Sequence, residues 1–118
     1  MEENRVFQLA LETSEKIKSV FGNRITEPKI VDVVEYGPYQ RFGIRFVAYD
    51  YFLILFNYDR GFCGFSVSIG GQYGASLNGE RGLGAYNDIK DWDSYLKEIM
   101  AEIELRIPDE FLKAKGWL

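Results

Sequence analysis

Residues 41–69 read RFGIRFVAYDYFLILFNYDRGFCGFSVSI and decide the fold. Residues 41–48 alternate between apolar and charged side chains, a pattern that predicts a strand with one solvent-facing side. Residues 51–58 are apolar at almost every position, which predicts a central strand covered on both faces. Residues 65–69 alternate apolar side chains with serines, and residues 59–61 carry the turn signal Asp-Arg-Gly. The stretch therefore predicts three strands joined by tight turns.

Further strands are predicted on both sides of this stretch. Residues 29–36 (KIVDVVEY) are rich in β-branched side chains and precede the turn signal Gly37–Pro38. Residues 73–77 alternate like a fifth strand after Gly70–Gly71. A two-residue turn at these glycines would pair Ile69 with residue 72 and place the wrong side chains on each face. The fifth strand therefore requires a bulge or a longer loop, and the remaining glycine-rich residues up to 84 predict a mobile loop.

Helices are predicted at both ends of the chain. Apolar residues recur at three- and four-residue steps over residues 6–21, and Gly22 is a natural helix stop. Asp91 is a plausible N-cap for a helix over residues 92–107, and residues 109–115 predict a short last helix. The order predicts an α+β fold. An antiparallel four- to five-stranded meander carries an N-terminal helix and one or two C-terminal helices packed on one face. With 118 residues, we expect residues 1–118 to form one domain.

Composition excludes several classes of function. The chain has no histidine, which removes His-based acid–base catalysis, Ser-His-Asp and Cys-His nucleophiles, and most zinc sites. Its 14 basic and 18 acidic residues give a net charge of −4, which disfavours direct nucleic-acid binding. The single cysteine, Cys63, lies in an apolar run and is expected to be a core residue. No motif is typical of a cofactor or metal site, so we predict neither.

The chain carries no signal that directs it to a membrane. Its first 16 residues are acidic and amphipathic, without the basic start and apolar stretch of a signal peptide. The longest apolar run, residues 51–56, is far shorter than the ~20 residues that span a bilayer. We therefore expect a cytoplasmic protein without a membrane partner. The oligomeric state stays open.

Acidic residues are concentrated near the C-terminus. Residues 87–110 contain eight acidic and three basic residues, a net charge of −5. Internal pairs such as Glu102–Arg106 would make this an ordinary solvated helix face. Against that interpretation, Glu98 and Glu102 form a like-charge pair four residues apart, which is unfavourable on a helix. Such a face could instead dock a basic protein surface.

Tyrosines are the second feature that suggests a protein partner. Not all of those at predicted strand ends and turns can be buried, and tyrosine is frequent in protein interfaces. We combine the tyrosines and the acidic residues into one candidate partner-binding set. Its members are Tyr36, Tyr39, Tyr73, Glu80, Tyr86, Asp88, Asp93, Glu98 and Glu102.

The element order and the run YFLILFNYDRGFCGFSVSIG (residues 51–70) resemble the small immunity proteins of bacterial toxin–immunity pairs. The resemblance lies in architecture and covers most of the chain, and no functional residue is carried over from it. It implies an intracellular, non-enzymatic inhibitor that neutralises a toxin by covering or distorting its active site. The expected partner is a toxin with a basic surface.

Three other functions stay open on the sequence alone. A phage-encoded inhibitor could use its acids to imitate DNA phosphates, but a net charge of −4 is small for that role. An enzyme could use paired carboxylates or a metal at the strand ends, and would need two acids converging in a concave pocket. A small-ligand-binding domain would have a pocket between the sheet and the helices.

Overall fold

The fold is built from an N-terminal helix, an antiparallel sheet and two C-terminal helices, as predicted. The computed structural model describes residues 5–70, 73–77 and 84–118. The elements in chain order are α1 (Arg5–Phe21), β1 (Lys29–Val34), β2 (Arg41–Ala48), β3 (Phe52–Asp59), β4 (Phe62–Gly70), β5 (Tyr73–Ser76), β6 (Gly84–Ala85), α2 (Trp92–Glu104) and α3 (Asp109–Ala114).

The sheet is a meander in the spatial order β1-β2-β3-β4-β5. Strands β2 and β3 pair along their whole length, from Arg41 opposite Asp59 to Ala48 opposite Phe52. The two-residue strand β6 pairs with β4 at Phe62 and Cys63, beyond the part of β4 that pairs with β5. The predicted α+β class and the antiparallel meander are confirmed.

One face of the sheet forms the core together with the helices. The alternation in β2 places Phe42, Ile44 and Phe46 on this face, and all three are buried, as predicted. Phe56 of β3 packs its ring against Phe65 of β4, with ring centroids 4.9 Å apart. Burying each of these side chains completely contributes about 2–3 kcal/mol to the hydrophobic stabilisation.

Strand β3 is central in the sheet, but the prediction that both its faces are covered is wrong. Ile54 and Phe56 are fully buried, whereas Leu53 on the opposite face has 39% of its surface exposed. The helices all lie on one side, so nothing in the described part of the chain covers the other side of β3. An apolar run of eight residues therefore coincides here with a sheet that has one open face.

The fifth strand forms with the irregularity that its sequence requires. Gly70 pairs with Tyr73, and Ser68 pairs with Gly74, so the register shifts by one residue between these two pairs. The shift places Ala75 opposite Val67, on the buried side of β4. The shift is the irregularity that the expectation of a bulge or a longer loop required.

The end of α1 and the start of α2 lie where their capping residues predict, but α2 ends at Glu104 and not at residue 107, because the Arg106 and Ile107 N–H groups bond to carbonyls three residues back. Gly22 adopts a φ of 58° just after α1, and the Asp91 side chain accepts a hydrogen bond from the Ser94 N–H at the start of α2. The two helices contact each other above the sheet. Lys16 of α1 lies over the ring of Trp92 in α2, 5.1 Å from its centroid.

In the β3–β4 turn, Arg60 has a strained backbone conformation, and a substitution can relieve that strain. Arg60 and Gly61 join Asp59 to Phe62 with φ values of 51° and 93°, the two positive values of a type I′ turn. Arginine is disfavoured at the first of these positions, whereas asparagine tolerates it. We expect Arg60→Asn to raise the free energy of unfolding by about 0.5–1 kcal/mol in urea titrations.

The matched control for this prediction is Arg60→Lys, which keeps the charge and the strain. The Arg60–Asp59 ion pair is largely exposed, so its loss costs little. An asparagine variant that is no more stable than the lysine variant would contradict the prediction.

Candidate functional site

We call the sheet face opposite the helices the open face. Cross-strand pairing assigns one row of residues to it directly, because Val31 pairs with Gly43, Gly43 with Asn57, and Asn57 with Gly64. Two of the four positions in this row are glycines, both of them buried, and the exposed side chain between them is Asn57. We call the depression beside Gly43 and Asn57 the trough.

A cavity of about 480 Å³ occupies one end of this trough. Its lining includes Asp32, Arg41, Gly43, Asn57 and Asp59. A Cβ atom at Gly43 would lie 3.2 Å from Cγ2 of Val31 and 3.6 Å from Oδ1 of Asn57. The Val31 and Asn57 side chains thus close over Gly43, which is itself buried, and leave no free space for a side chain at that position. The lining provides hydrogen-bond donors and acceptors for a side chain or a small polar group.

Strand β1 is distorted where it borders the cavity. Between the pairs Val31–Gly43 and Val34–Arg41, two β1 residues face one β2 residue, which is a β-bulge. Asp32 within the bulge has a φ of 54°, a conformation in which non-glycine residues are uncommon. Bulges re-aim side chains near binding sites, and here Asp32 is brought to the cavity.

Large apolar and aromatic side chains lie exposed around the trough. Phe62 shares a cross-strand pair with Asp59 and has 55% of its surface exposed. Tyr36 and Tyr39, exposed at 81% and 64%, flank the short turn between β1 and β2. The β3–β4 turn lies beside that turn, because the Arg60 N–H donates to the Gln40 carbonyl at 2.9 Å. The expectation that Tyr36 and Tyr39 are accessible is met.

Tyr86 does not belong to an accessible surface, and its place in the candidate set is wrong. Its side chain is 8% exposed, and its hydroxyl lies 2.8 Å from the Thr13 hydroxyl of α1. Its ring packs against Tyr58 and Trp92. The residue therefore joins the sheet to both long helices in the core. The sequence hid this because Tyr86 follows a glycine-rich segment typical of a surface loop.

Several acids of the C-terminal region have structural partners. Asp91 caps α2, Glu102 accepts from the Arg106 guanidinium at 3.2 Å, and Glu104 accepts from the Tyr49 hydroxyl at 2.6 Å. Asp88 and Asp93 are exposed, as is Glu98. The acidic surface available to a partner is thus smaller than the count of eight acids suggests.

Two members of the candidate set cannot be placed. Glu80 lies outside the described residues, as does most of the glycine-rich segment 70–84. The backbone of Tyr73 belongs to β5, but its side chain lies outside the described part.

Sequence reasoning missed the residues that build the trough. Its signals were Gly43, which lies inside a predicted strand, and Gly64, which directly precedes the strand predicted over residues 65–69. A glycine in a strand interior often marks a close approach of backbone to a ligand or to another chain. Finding the trough also required the pairing register, which aligns both glycines with Asn57.

The thiol of Cys63 is buried and protonated at neutral pH. The residue is 2% exposed, which confirms its assignment to the core. Burial raises the pKa of the Cys63 thiol to about 11, so little thiolate exists at neutral pH. Within residues 5–70, 73–77 and 84–118, no three His, Cys, Asp or Glu side chains are grouped to hold a metal ion.

Two further findings bear on the chain as a whole. In the described part, none of the helices combines the length and the apolar character needed to cross a membrane. Comparison of the chain with protein-family models, with curated proteins and with solved structures found no match.

Proposed function

We propose that this chain is a non-enzymatic, cytoplasmic inhibitor of the immunity type, which binds its target protein through the open face of the sheet. The observation that carries the proposal is the glycine trough between exposed apolar side chains. Phe62 and Leu53 are exposed on a sheet whose other face packs against the helices. The inhibitory role itself rests on the resemblance to immunity proteins, which act by covering a toxin.

The open face is large enough for a stable protein interface. Five strands of four to nine residues, spaced about 4.8 Å apart with about 3.3 Å per residue, present roughly 550 Å². The adjoining turn with Tyr36 and Tyr39 brings this close to the ~800 Å² that each partner buries in a standard interface. The area therefore supports a specific complex rather than a transient encounter.

The shape of the open face also favours a protein partner. Interface energy is concentrated in a few aromatic or large apolar side chains that fill pockets on the other protein. Phe62 and the two tyrosines are such anchors on this chain, and the trough can accept an anchor from the partner. When each protein inserts a side chain into a depression on the other, only partners of matching shape can bind, which makes the complex specific.

The test is capture of the partner from a lysate of the source organism by the tagged chain, followed by quantitative binding of variants. We expect Phe62→Asp to weaken binding at least tenfold, because a truncated anchor commonly costs more than about 1.4 kcal/mol. The matched control is Leu105→Asp, since Leu105 is 78% exposed but lies at the end of α2. Both variants should melt like the parent.

A third variant tests the acidic side of α2, which would bind a partner with a basic surface. Asp88→Asn combined with Asp93→Asn removes two exposed carboxylates without touching the sheet. If this variant loses binding while Phe62→Asp does not, the open face is not the docking surface. Failure of the captured partner to lose its activity on binding would overturn the inhibitory role.

A further inference from the structure

Three basic side chains on the open face form no ion pair with any described residue, although Arg41 lies opposite Asp59 in the sheet. Lys29, Arg41 and Arg45 are exposed. Arg41 and Arg45 lie on the same strand face as Gly43, one on each side of it, and Lys29 is opposite Arg45. Among the described residues, none of the three takes part in an ion pair.

The pairing of Lys29 with Arg45 is unfavourable for the isolated sheet. Residues directly opposite on neighbouring strands have Cβ atoms about 5 Å apart, and like charges in this position destabilise the pair. An acidic residue at either position would have made a favourable pair. A ligand that brings negative charge would remove this repulsion.

Charge is segregated between the open face and the rest of the molecule. Among the residues that the structure describes, the open face and its β3–β4 turn carry four basic and two acidic side chains. The basic residues are Lys29, Arg41, Arg45 and Arg60, and the acidic ones are Asp32 and Asp59. Their net charge is +2 in a chain whose total is −4, so the remainder carries −6. Asp59 is in addition occupied by Arg60, whose Nε donates to it at 2.8 Å.

We propose that the open face binds an acidic, extended segment of the partner protein, with carboxylates seated on Arg45 and Lys29 and on Arg41. This inference rests on the proposed function and names the chemistry of its partner. Arg41 and Arg45 are four residues apart in one strand, about 13 Å. Side chains four residues apart in an extended segment have the same spacing, so acids at positions i and i+4 can reach both arginines. The side chain at i+2 would face the cavity that Gly43 and Asn57 help to line.

A protein segment fits better than a nucleic acid. Strands that bind single-stranded nucleic acid present aromatic platforms for the bases. Among the described strand residues of the open face, only Phe62 is an exposed aromatic, and Tyr36 and Tyr39 lie in the adjoining turn. The net charge of −4 also repels a polyanion at long range. A short acidic segment meets only the local positive charge.

The experiment uses the isotope-labelled chain and a ten-residue peptide of alternating glutamate and threonine, followed by amide shifts in NMR spectra. We expect shifts confined to β1, β2 and β3, and binding that weakens with added salt. Arg45→Gln should lower the affinity about three- to tenfold. The matched control Lys113→Gln, an exposed lysine of α3, should leave it unchanged.

Three results would overturn the inference. One is a peptide titration without shifts in β1 and β2, and another is an Arg45→Gln variant that binds the peptide as the parent does. The third is tighter binding of a single-stranded DNA decamer to the same residues. If capture of the natural partner still depends on Phe62, these results overturn only the inference that the bound partner segment is acidic, and the open face remains the docking surface. If peptide binding is observed but capture is independent of Phe62, the proposed function fails instead.

Discussion

Replacing Tyr49 with alanine is expected to lower the free energy of unfolding by about 4 kcal/mol, because a large buried ring is deleted. The Tyr49 side chain is fully buried, and its ring meets Trp117 edge-on at 5.3 Å between centroids. Its hydroxyl donates to Glu104, and its backbone N–H donates to the Arg24 carbonyl. One residue thus ties the β2–β3 turn to α2 and to the C-terminus.

The backbone of Tyr49 makes this residue more than an ordinary core position. Its φ of 58° is left-handed, which costs a non-glycine residue of order 1 kcal/mol or more. The surrounding contacts hold Tyr49 in this conformation, so their loss should destabilise the whole β2–β3 turn. Chemical denaturation measures the effect.

Two variants separate the contributions at this turn. Tyr51→Ala removes a partly exposed neighbour and should cost no more than about 1 kcal/mol. Tyr49→Phe keeps the ring and removes only the hydrogen bond to Glu104, with an expected loss of about 1–2 kcal/mol. If Tyr49→Ala were as stable as Tyr51→Ala, the anchoring of the turn to α2 would be wrong.

Stability is expected to fall steeply as the pH rises above 9, with Cys63 as the first cause. Burial raises the pKa of its thiol from 9.0 to about 11 in the folded chain. Below pH 9 the thiol is protonated in both states, so its contribution is fully present there. Between pH 9 and 11 the unfolded thiol ionises while the folded one stays neutral. This difference lowers the free energy of unfolding by about 2–3 kcal/mol.

Two tyrosines extend the loss to higher pH. Burial raises the pKa of Tyr49 above its ordinary value of 10.0, helped by the hydrogen bond to Glu104, and burial also raises the pKa of Tyr86. The contribution of Cys63 is isolated by Cys63→Ala, which should show a shallower decrease between pH 9 and 10. Parallel pH dependences of the parent and this variant would contradict the assignment to the thiol.

Most of the architecture could be predicted because its signals are local. Gly22 and Asp91 mark helix ends through backbone conformation and capping, which depend on neighbouring residues alone. The alternation in residues 41–48 assigns the buried side of β2 without further information. The turn at residues 59–61 carries its own glycine. Such signals survive in any tertiary context.

The errors arose where tertiary context decides. An apolar run such as residues 51–58 is compatible with coverage on one face or on both, and only the placement of the helices chooses between them. Tyr86 lies at a turn, where tyrosines are commonly exposed, and is buried by elements that are distant in sequence. Of the candidate site, the exposure of Tyr36 and Tyr39 was predicted. The trough required the pairing register.

The most direct test of the open face as the docking surface is hydroxyl-radical footprinting of the chain with and without its captured partner. Each side of the molecule has exposed large apolar side chains, and their oxidation shows whether the partner covers that side. Phe62 and Leu53 lie on the open face, and Phe7, Leu11 and Leu105 lie on the helices. We predict that the partner protects Phe62 and Leu53 from oxidation and leaves the helix residues unprotected. Protection of the helix residues with unchanged oxidation of Phe62 and Leu53 would contradict the account.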